Sequence, residues 1–412
     1  MSETITVIDN YVKYLKTVAS KLYEYQNKLY DEPEDENSDS DDEYQMIQQS
    51  IQGKFNSMKD SIKQKTEEFQ SRPVDNFYQT GITHGKLEAS IQVELLGLVK
   101  KFALASKVDY HPGSNGKVRD LVHPSVYPYV KGKKSKPKKV DFFKRPYESS
   151  KYQWLPSEFA IDLDGKCEIK SYINNLPLEE KPMYTTITKL FETILPELTK
   201  AYSYANSVDI FDSDENLGFT EKIPINMSKL TGKSLQVITK IVQVTLGPEE
   251  SLPGSWHVEG MSHENIIATA SCTLEQPEGF KANLYFKRAY YAEEAGYLMM
   301  NTYQHPHESI IKLYHENLVP IGRAEIKSGS LVVFPNNFVH KIDMVNNTSN
   351  PLTRTILVFW LVDPEIKIKS TKDIPQQTWD WEQVEKIRLE LMGERTYYKQ
   401  TFNQREINLC EH

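Results

Sequence analysis

The sequence predicts an α+β protein with a jelly-roll core of two sheets, preceded by a helical region and followed by a C-terminal helix. Three observations predict it. From residue 235 onward apolar residues recur with the two-residue period of strands, over 235–246, 264–274, 282–287, 319–326, 330–334, 338–345 and 354–362, with turn residues at Gly279, Gly329 and Asn346-Asn347. Seven or eight such strands in about 130 residues suit two packed sheets whose mouth can hold a metal and a small acid. Upstream of residue 230, and again near the C-terminus, the apolar period is helical instead.

Taken in order, residues 5–29 carry Ile8, Tyr11, Leu15, Val18 and Leu22 at mostly helical spacing, which predicts an amphipathic packing helix. The run 31–43, D-E-P-E-D-E-N-S-D-S-D-D-E, has no apolar residue to offset its ordering entropy and is expected to be a disordered loop. Ser38 and Ser40 sit in an acidic context that suits an acid-directed kinase, although a solvated linker is the simpler reading. Residues 44–70 and 85–107 predict two further helices, and residues 1–75 are expected to form an N-terminal helical region. A mixed region of helices and loops, 76–230, then packs on the core. It contains a helix over 181–205 with Pro196 inside it, and a basic cluster at 131–145, K-G-K-K-S-K-P-K-K-V-D-F-F-K-R. That cluster reads as an import signal, as a landing site for an anionic partner, or as solvated lysines.

The β-core is expected over 231–366, interrupted at 289–317 by a Tyr- and Met-rich insertion. Within the insertion His305, His307 and His315, with Glu308 and Glu316, form a rival metal cluster whose spacing matches no recurrent zinc pattern. The C-terminal region 367–412 carries a helix over about 380–399, with Asp380 as its N-cap and Trp379, Val384, Ile387 and Leu391 as anchors.

Composition narrows the function. A net charge of −8 over 412 residues argues against wholesale nucleic-acid binding. Three scattered cysteines, Cys167, Cys272 and Cys410, make neither a disulfide framework nor a zinc knuckle, which fits a reducing compartment. The acidic N-terminus predicts no secretory leader and no window predicts a membrane span, so a cytoplasmic or nuclear location is expected.

The chemistry gathers at Gly254–Met261, G-S-W-H-V-E-G-M. His257 and Glu259 are two apart, so extended backbone sends both side chains from one face. One more imidazole completes a 2-His-1-carboxylate site with three open positions on a metal such as Fe(II), and His340 in F-P-N-N-F-V-H-K is the candidate. Arg354, at the head of the strand T-R-T-I-L-V-F-W-L-V, offers a planar fork for the far carboxylate of a dicarboxylic co-substrate. His340 and Arg354 are expected on neighbouring antiparallel strands facing one cavity. Trp256, Phe334 and Phe359 are expected to be pocket walls or core. On spacing alone, two satisfied core histidines and an arginine at a strand end explain the same residues.

Further segments carry a resemblance: V-R-D-L-V-H-P-S-V-Y-P (118–128), Y-Q-W-L-P-S (152–157), S-Y-I-N-N-L (171–176), L-V-D-P (361–364) and S-T-K-D-I-P-Q-Q (370–377). With the two metal segments, they are similar to an uncharacterised family common in fungal genomes, which distantly resembles the 2-oxoglutarate/Fe(II)-dependent dioxygenases. The resemblance implies a cupin-like double-stranded β-helix, with His257, Glu259 and His340 on Fe(II) and Arg354 on 2-oxoglutarate. It implies no particular substrate: a protein side chain, a nucleobase and a small metabolite stay open. Two departures stand out, Glu259 where aspartate is usual and Ile356 where a hydroxyl residue is common. Three functions follow: an oxygenase of hydroxylase or demethylase type, an inactive dioxygenase-fold binding or scaffold protein, and a cupin-like metalloenzyme without a 2-oxo acid.

Overall fold

The two-residue period is realised as two mostly antiparallel sheets, accompanied among the described residues by four α-helical segments and a short 3-10 turn at Ser262–Glu264. The structure, a computed structural model, describes residues 63–74, 81–132, 151–210, 221–224, 229–289 and 318–402, with positions 14 and 60 and the pair 408–409. Nearly all of 5–29, the run 31–43 with Ser38 and Ser40, most of 131–145, and 290–317 with His305, His307, Glu308, His315 and Glu316 lie outside the described residues.

The strands that matter here are β1 (Thr83–Lys86), β2 (Val118–Val122), β3 (Ser157–Ile161), β4 (Cys167–Ile169) and β5 (Ser234–Leu246). They continue with β6 (Ser251–Leu252), β7 (His257–Val258), β8 (Ile266–Glu275), β9 (Phe280–Arg288) and β10 (Val319–Ile326). The last are β11 (Ser330–Pro335), β12 (Val339–Asn346), β13 (Leu352–Val362) and β14 (Asn408–Leu409). The larger sheet runs β1-β11-β8-β13-β5-β3-β4, with β2 also on β5; the smaller runs β10-β9-β12-β7-β14, with β6 also on β12. Each strand predicted from residue 235 onward is present within two residues at either end.

Contacts divide the chain into two units. The first comprises Met1–Asp75, Asp209–Glu221 and Tyr285–Arg323. In it, the Gln70 side chain of the helical segment 63–70 donates to the carbonyls of Phe286 and Gly322 at 3.0 and 2.9 Å. The second comprises Asn76–Val208, Lys222–Leu284 and Ala324–His412, and holds the main core.

In the second unit β13 shows how the layers are made. Alternation puts Leu357, Phe359 and Leu361 on one face and Arg354, Ile356, Val358 and Trp360 on the other. The first face meets α1 (Ala89–Ala105) and α2 (Lys181–Ala205), which turn Leu95, Val99, Ile187, Phe191 and Leu198 into one continuous apolar cluster. Phe191 packs edge-on against Phe359, with centroids 5.3 Å apart. The second face closes a cavity of about 220 Å³, walled by Val242, Ser271 and Val358 of the larger sheet and by His340, Ile342 and Met344 of the smaller. The third helix, α3 (Trp381–Phe402), starts where predicted: Asp380 Oδ1 accepts the Gln383 N–H at 2.8 Å, and Val384 and Leu391 are buried.

The sequence misplaces one boundary and conceals several strands. The helix read over 85–107 begins at Ala89, because 83–86 pair with β11 and Gly85 disfavours helix. The stretch 76–230, read as helices and loops, adds β1 to β4 to the larger sheet; these are short runs that carry little periodicity. Among the described residues no helix is long and apolar enough to cross a membrane.

Candidate metal centre

His257 and His340 are brought face to face by one rung of the β7–β12 ladder. Their rings lie 4.3 Å apart between centroids, and both are buried. Gly254 permits the approach of this segment to β12: a Cβ there would stand 2.3 Å from the Ile342 carbonyl oxygen. Glu259 Oε1 lies 3.7 Å from His257 Nε2 and 3.5 Å from His340 Nε2. Thus the three residues drawn from two distant segments present donor atoms that all lie within 4.8 Å of one another.

Which ring nitrogens face inward decides the chemistry. His257 Nδ1 is 2.7 Å from the Ser255 carbonyl and His340 Nδ1 is 3.2 Å from the Phe338 carbonyl. A carbonyl only accepts, so each Nδ1 carries the hydrogen, and the tautomer with that single hydrogen has its lone pair at Nε2, toward Glu259. Burial holds His340 below the usual histidine range and so keeps it neutral. Two imidazole nitrogens and an ionised oxygen therefore converge, an arrangement that suits a divalent cation of borderline hardness.

Arg354 lies on β13 of the larger sheet while His340 lies on β12 of the smaller, so the two do not share a ladder, and Arg354 adjoins the cavity behind Met344 of its wall. This corrects the expectation of neighbouring strands: the turn after Asn346 carries the chain from one sheet to the other. The guanidinium is 1% exposed. Its Nη2 donates to Thr273 Oγ1 at 3.2 Å, and Nη1 sits 3.6 Å from Met344 Sδ, a residue of the cavity wall. Among the described residues it makes no ion pair, its Nε–H has no acceptor, and burial pulls its pKa down to about 9.

Thr273 stands opposite Ile356 on the neighbouring strand, so the hydroxyl missing at 356 is offered to Arg354 from β8. Ser271 and Thr269 continue the same face of β8 into the cavity. Phe334 is a wall, its ring 4.7 Å from that of His340, whereas Phe359 belongs to the core. Trp256 stacks under Lys341 Nζ at 5.5 Å. Neither Thr273 nor Asn336, whose side chain grips the Glu259 backbone, was legible as a site residue. Their partners are 81 and 77 residues away, and only register brings them near.

A second group, His111, Asp120 and His123, has metal-like geometry and was not read from the sequence. It fails the nitrogen test. The Ser125 N–H donates to His123 Nδ1 at 3.1 Å, which places the hydrogen of the neutral ring on Nε2 and leaves no lone pair there. Asp120 is held by the Arg388 guanidinium and by His111 Nδ1, and Arg388 also spans both oxygens of Asp109 at 2.9 Å. It is a buried charge network that anchors α3.

Comparison with known proteins places the chain. The family model described as "protein of unknown function (DUF4246)" matches residues 58–216 and 207–385. The chain belongs to this family. No curated protein matches this DUF4246 member. Among solved structures it is similar to a prolyl hydroxylase from Trichoplax adhaerens in complex with a hypoxia inducible factor peptide fragment (10% identity, TM-score 0.33, covering 76% of this chain and 96% of that one). It is also similar to SnoN, the non-heme alpha ketoglutarate dependent epimerase from nogalamycin biosynthesis (12%, 0.32, 74% and 86%). A prolyl-4-hydroxylase from Pseudomonas putida gives 10%, 0.31, 70% and 96%. Likenesses this remote bear no weight on function; the donor geometry does.

Proposed function

We propose that this DUF4246 chain is a non-haem Fe(II) oxygenase that uses 2-oxoglutarate, of hydroxylase or demethylase type, built on a double-stranded β-helix core over 231–366. The observation that carries the proposal is the commitment of both Nδ1–H groups to backbone carbonyls, which leaves two imidazole lone pairs and the Glu259 carboxylate aimed at one point. Without a cation those three groups repel; a divalent metal relieves them, and the 2-His-1-carboxylate set leaves a face open for reactants. When bound, iron and a 2-oxo acid together supply O2-dependent decarboxylation to succinate and CO2, coupled to oxidation of the substrate.

The chain's own residues do the positioning. His257, Glu259 and His340 fix the metal end of the cavity. Arg354, desolvated and lacking a carboxylate partner among the described residues, takes the distal carboxylate of the co-substrate. The guanidinium meets β12 at Met344, four residues beyond His340, so the two ends are about 13 Å apart along the strand. A three-carbon 2-oxo acid would stop short of it and carries no second carboxylate. The apolar walls exclude water from the interval. The test is succinate release from purified protein with Fe(II), ascorbate and 2-oxoglutarate: the parent turns over slowly and His257→Ala does not. Equal release by both, or tight binding of metal and 2-oxoglutarate without any release under every substrate tried, would defeat the enzymatic reading.

A further inference from the structure

Glu259 is one methylene longer than aspartate, about 1.5 Å of extra reach, and its backbone shows what that reach spans. His257 faces His340 in an antiparallel rung, so a continuing ladder would set Glu259 opposite Phe338. That rung is the last: Val258 pairs with Leu409 of β14, and β12 itself begins only at Val339. The Glu259 N–H donates to Asn336 Oδ1 at 3.0 Å, and Asn336 Nδ2 donates back to the Glu259 carbonyl at 2.9 Å and to that of Ile266 at 3.2 Å. Asn336 is itself buried and fixed by its own N–H, which donates to Ile267 O at 2.9 Å. Directly after the clamp Gly260 adopts φ +65°, where a Cβ would fall 2.6 Å from Ile266 Cδ1. The main chain at Glu259 is thus fixed by the Asn336 carboxamide and not by a rung to β12, while its side chain reaches back toward His340.

We propose that Asn336 is a positioning residue: by fixing the Glu259 backbone just beyond the last rung to β12, its carboxamide makes glutamate, and not the shorter aspartate, the carboxylate that completes this site. The inference rests on the metal reading above and concerns how one ligand is delivered. It explains why a longer acid stands here: clamp and methylene offset each other.

The test is a double-mutant cycle read by Co(II) titration of the full chain, using visible absorption of the metal and no turnover. Glu259→Asp weakens Co(II) binding by about tenfold or more in the parent, in the range of supporting-shell effects. In an Asn336→Ala background the freed backbone lets aspartate approach, and the same substitution costs less than about twofold. Equal penalties in both backgrounds overturn the proposal, because a merely structural Asn336 would leave them independent. Circular dichroism checks each variant; if Asn336→Ala does not fold, Asn336→Ser, too short to close both hydrogen bonds, runs the same cycle. Glu259→Asp that binds Co(II) within about twofold of the parent overturns it unaided. A parent that takes up no more Co(II) than His257→Ala removes the metal site and this proposal together, whereas an unaffected Glu259→Asp beside a binding parent removes only the proposal.

Discussion

Arg354 is buried where a charge is expensive, and its two contacts, a threonine hydroxyl and a thioether, do not neutralise it. Its cost to the ligand-free protein is therefore a measurable quantity. Arg354→Met keeps the volume and removes the charge, so the metal-free protein should melt a few degrees higher while 2-oxoglutarate no longer binds. Differential scanning fluorimetry with and without the co-substrate checks both halves, and a variant that melts lower would show that the guanidinium is compensated. Thr273→Val tests the supporting hydroxyl. Losing one hydrogen bond to a charged group should raise the KM for 2-oxoglutarate roughly tenfold and leave kcat nearly unchanged. Arg354 was legible in the sequence as a cation opening an apolar run. Thr273 was not, because its claim comes from standing across the ladder from Ile356.

At the level of elements, α3 is tied through charge to the loop that carries Glu259. Arg395 donates to Glu264 at 2.6 Å, and Glu264 accepts the Met261 and Trp154 N–H groups at 2.6 and 2.7 Å. Met261 is two residues beyond Glu259, so the C-terminal helix braces the turn that follows it. Burial pushes the Glu264 carboxyl up, but Arg395 and His263 beside it bring it below its usual value. A lowered pKa in the fold means stability that is full above the unfolded value, near pH 4.3, and is lost as pH falls from there through the folded value. Arg395→Met reverses the sign: the buried carboxylate now prefers its proton, so the variant is penalised at pH 7 and relieved in acid. The gap in Tm between parent and Arg395→Met should narrow steadily from pH 7 to pH 4; a constant gap would mean that packing alone is lost. The start of α3 was legible from Asp380 and its apolar spacing, as were the strands from 235 onward, since local period specifies them. The ion pairs that dock α3 were not, because Arg388 and Arg395 look like ordinary exposed helix residues until Asp109, Asp120 and Glu264 are brought against them.

For the second unit as a whole, the two sheets hold opposite halves of one electrostatic problem. The smaller carries His257 and His340, beside Glu259, and leaves lone pairs facing one another; the larger carries Arg354 and leaves a cation without an acid among the described residues. A metal answers the first half only, and a dicarboxylate that chelates it answers the second, so the two ligands should stabilise the fold in sequence. At concentrations a hundredfold above each dissociation constant, linkage is worth about 2.7 kcal/mol per ligand, a shift of several degrees for a domain of this size. Co(II) alone should raise Tm, 2-oxoglutarate alone should do little, and the two together should exceed Co(II) by a further shift of similar size. Pyruvate, which chelates but has no second carboxylate, should add much less, and in Arg354→Met the difference between the two acids should vanish. If pyruvate matched 2-oxoglutarate in the parent, the guanidinium would have no part in recognising the co-substrate and the larger sheet would serve only as a wall.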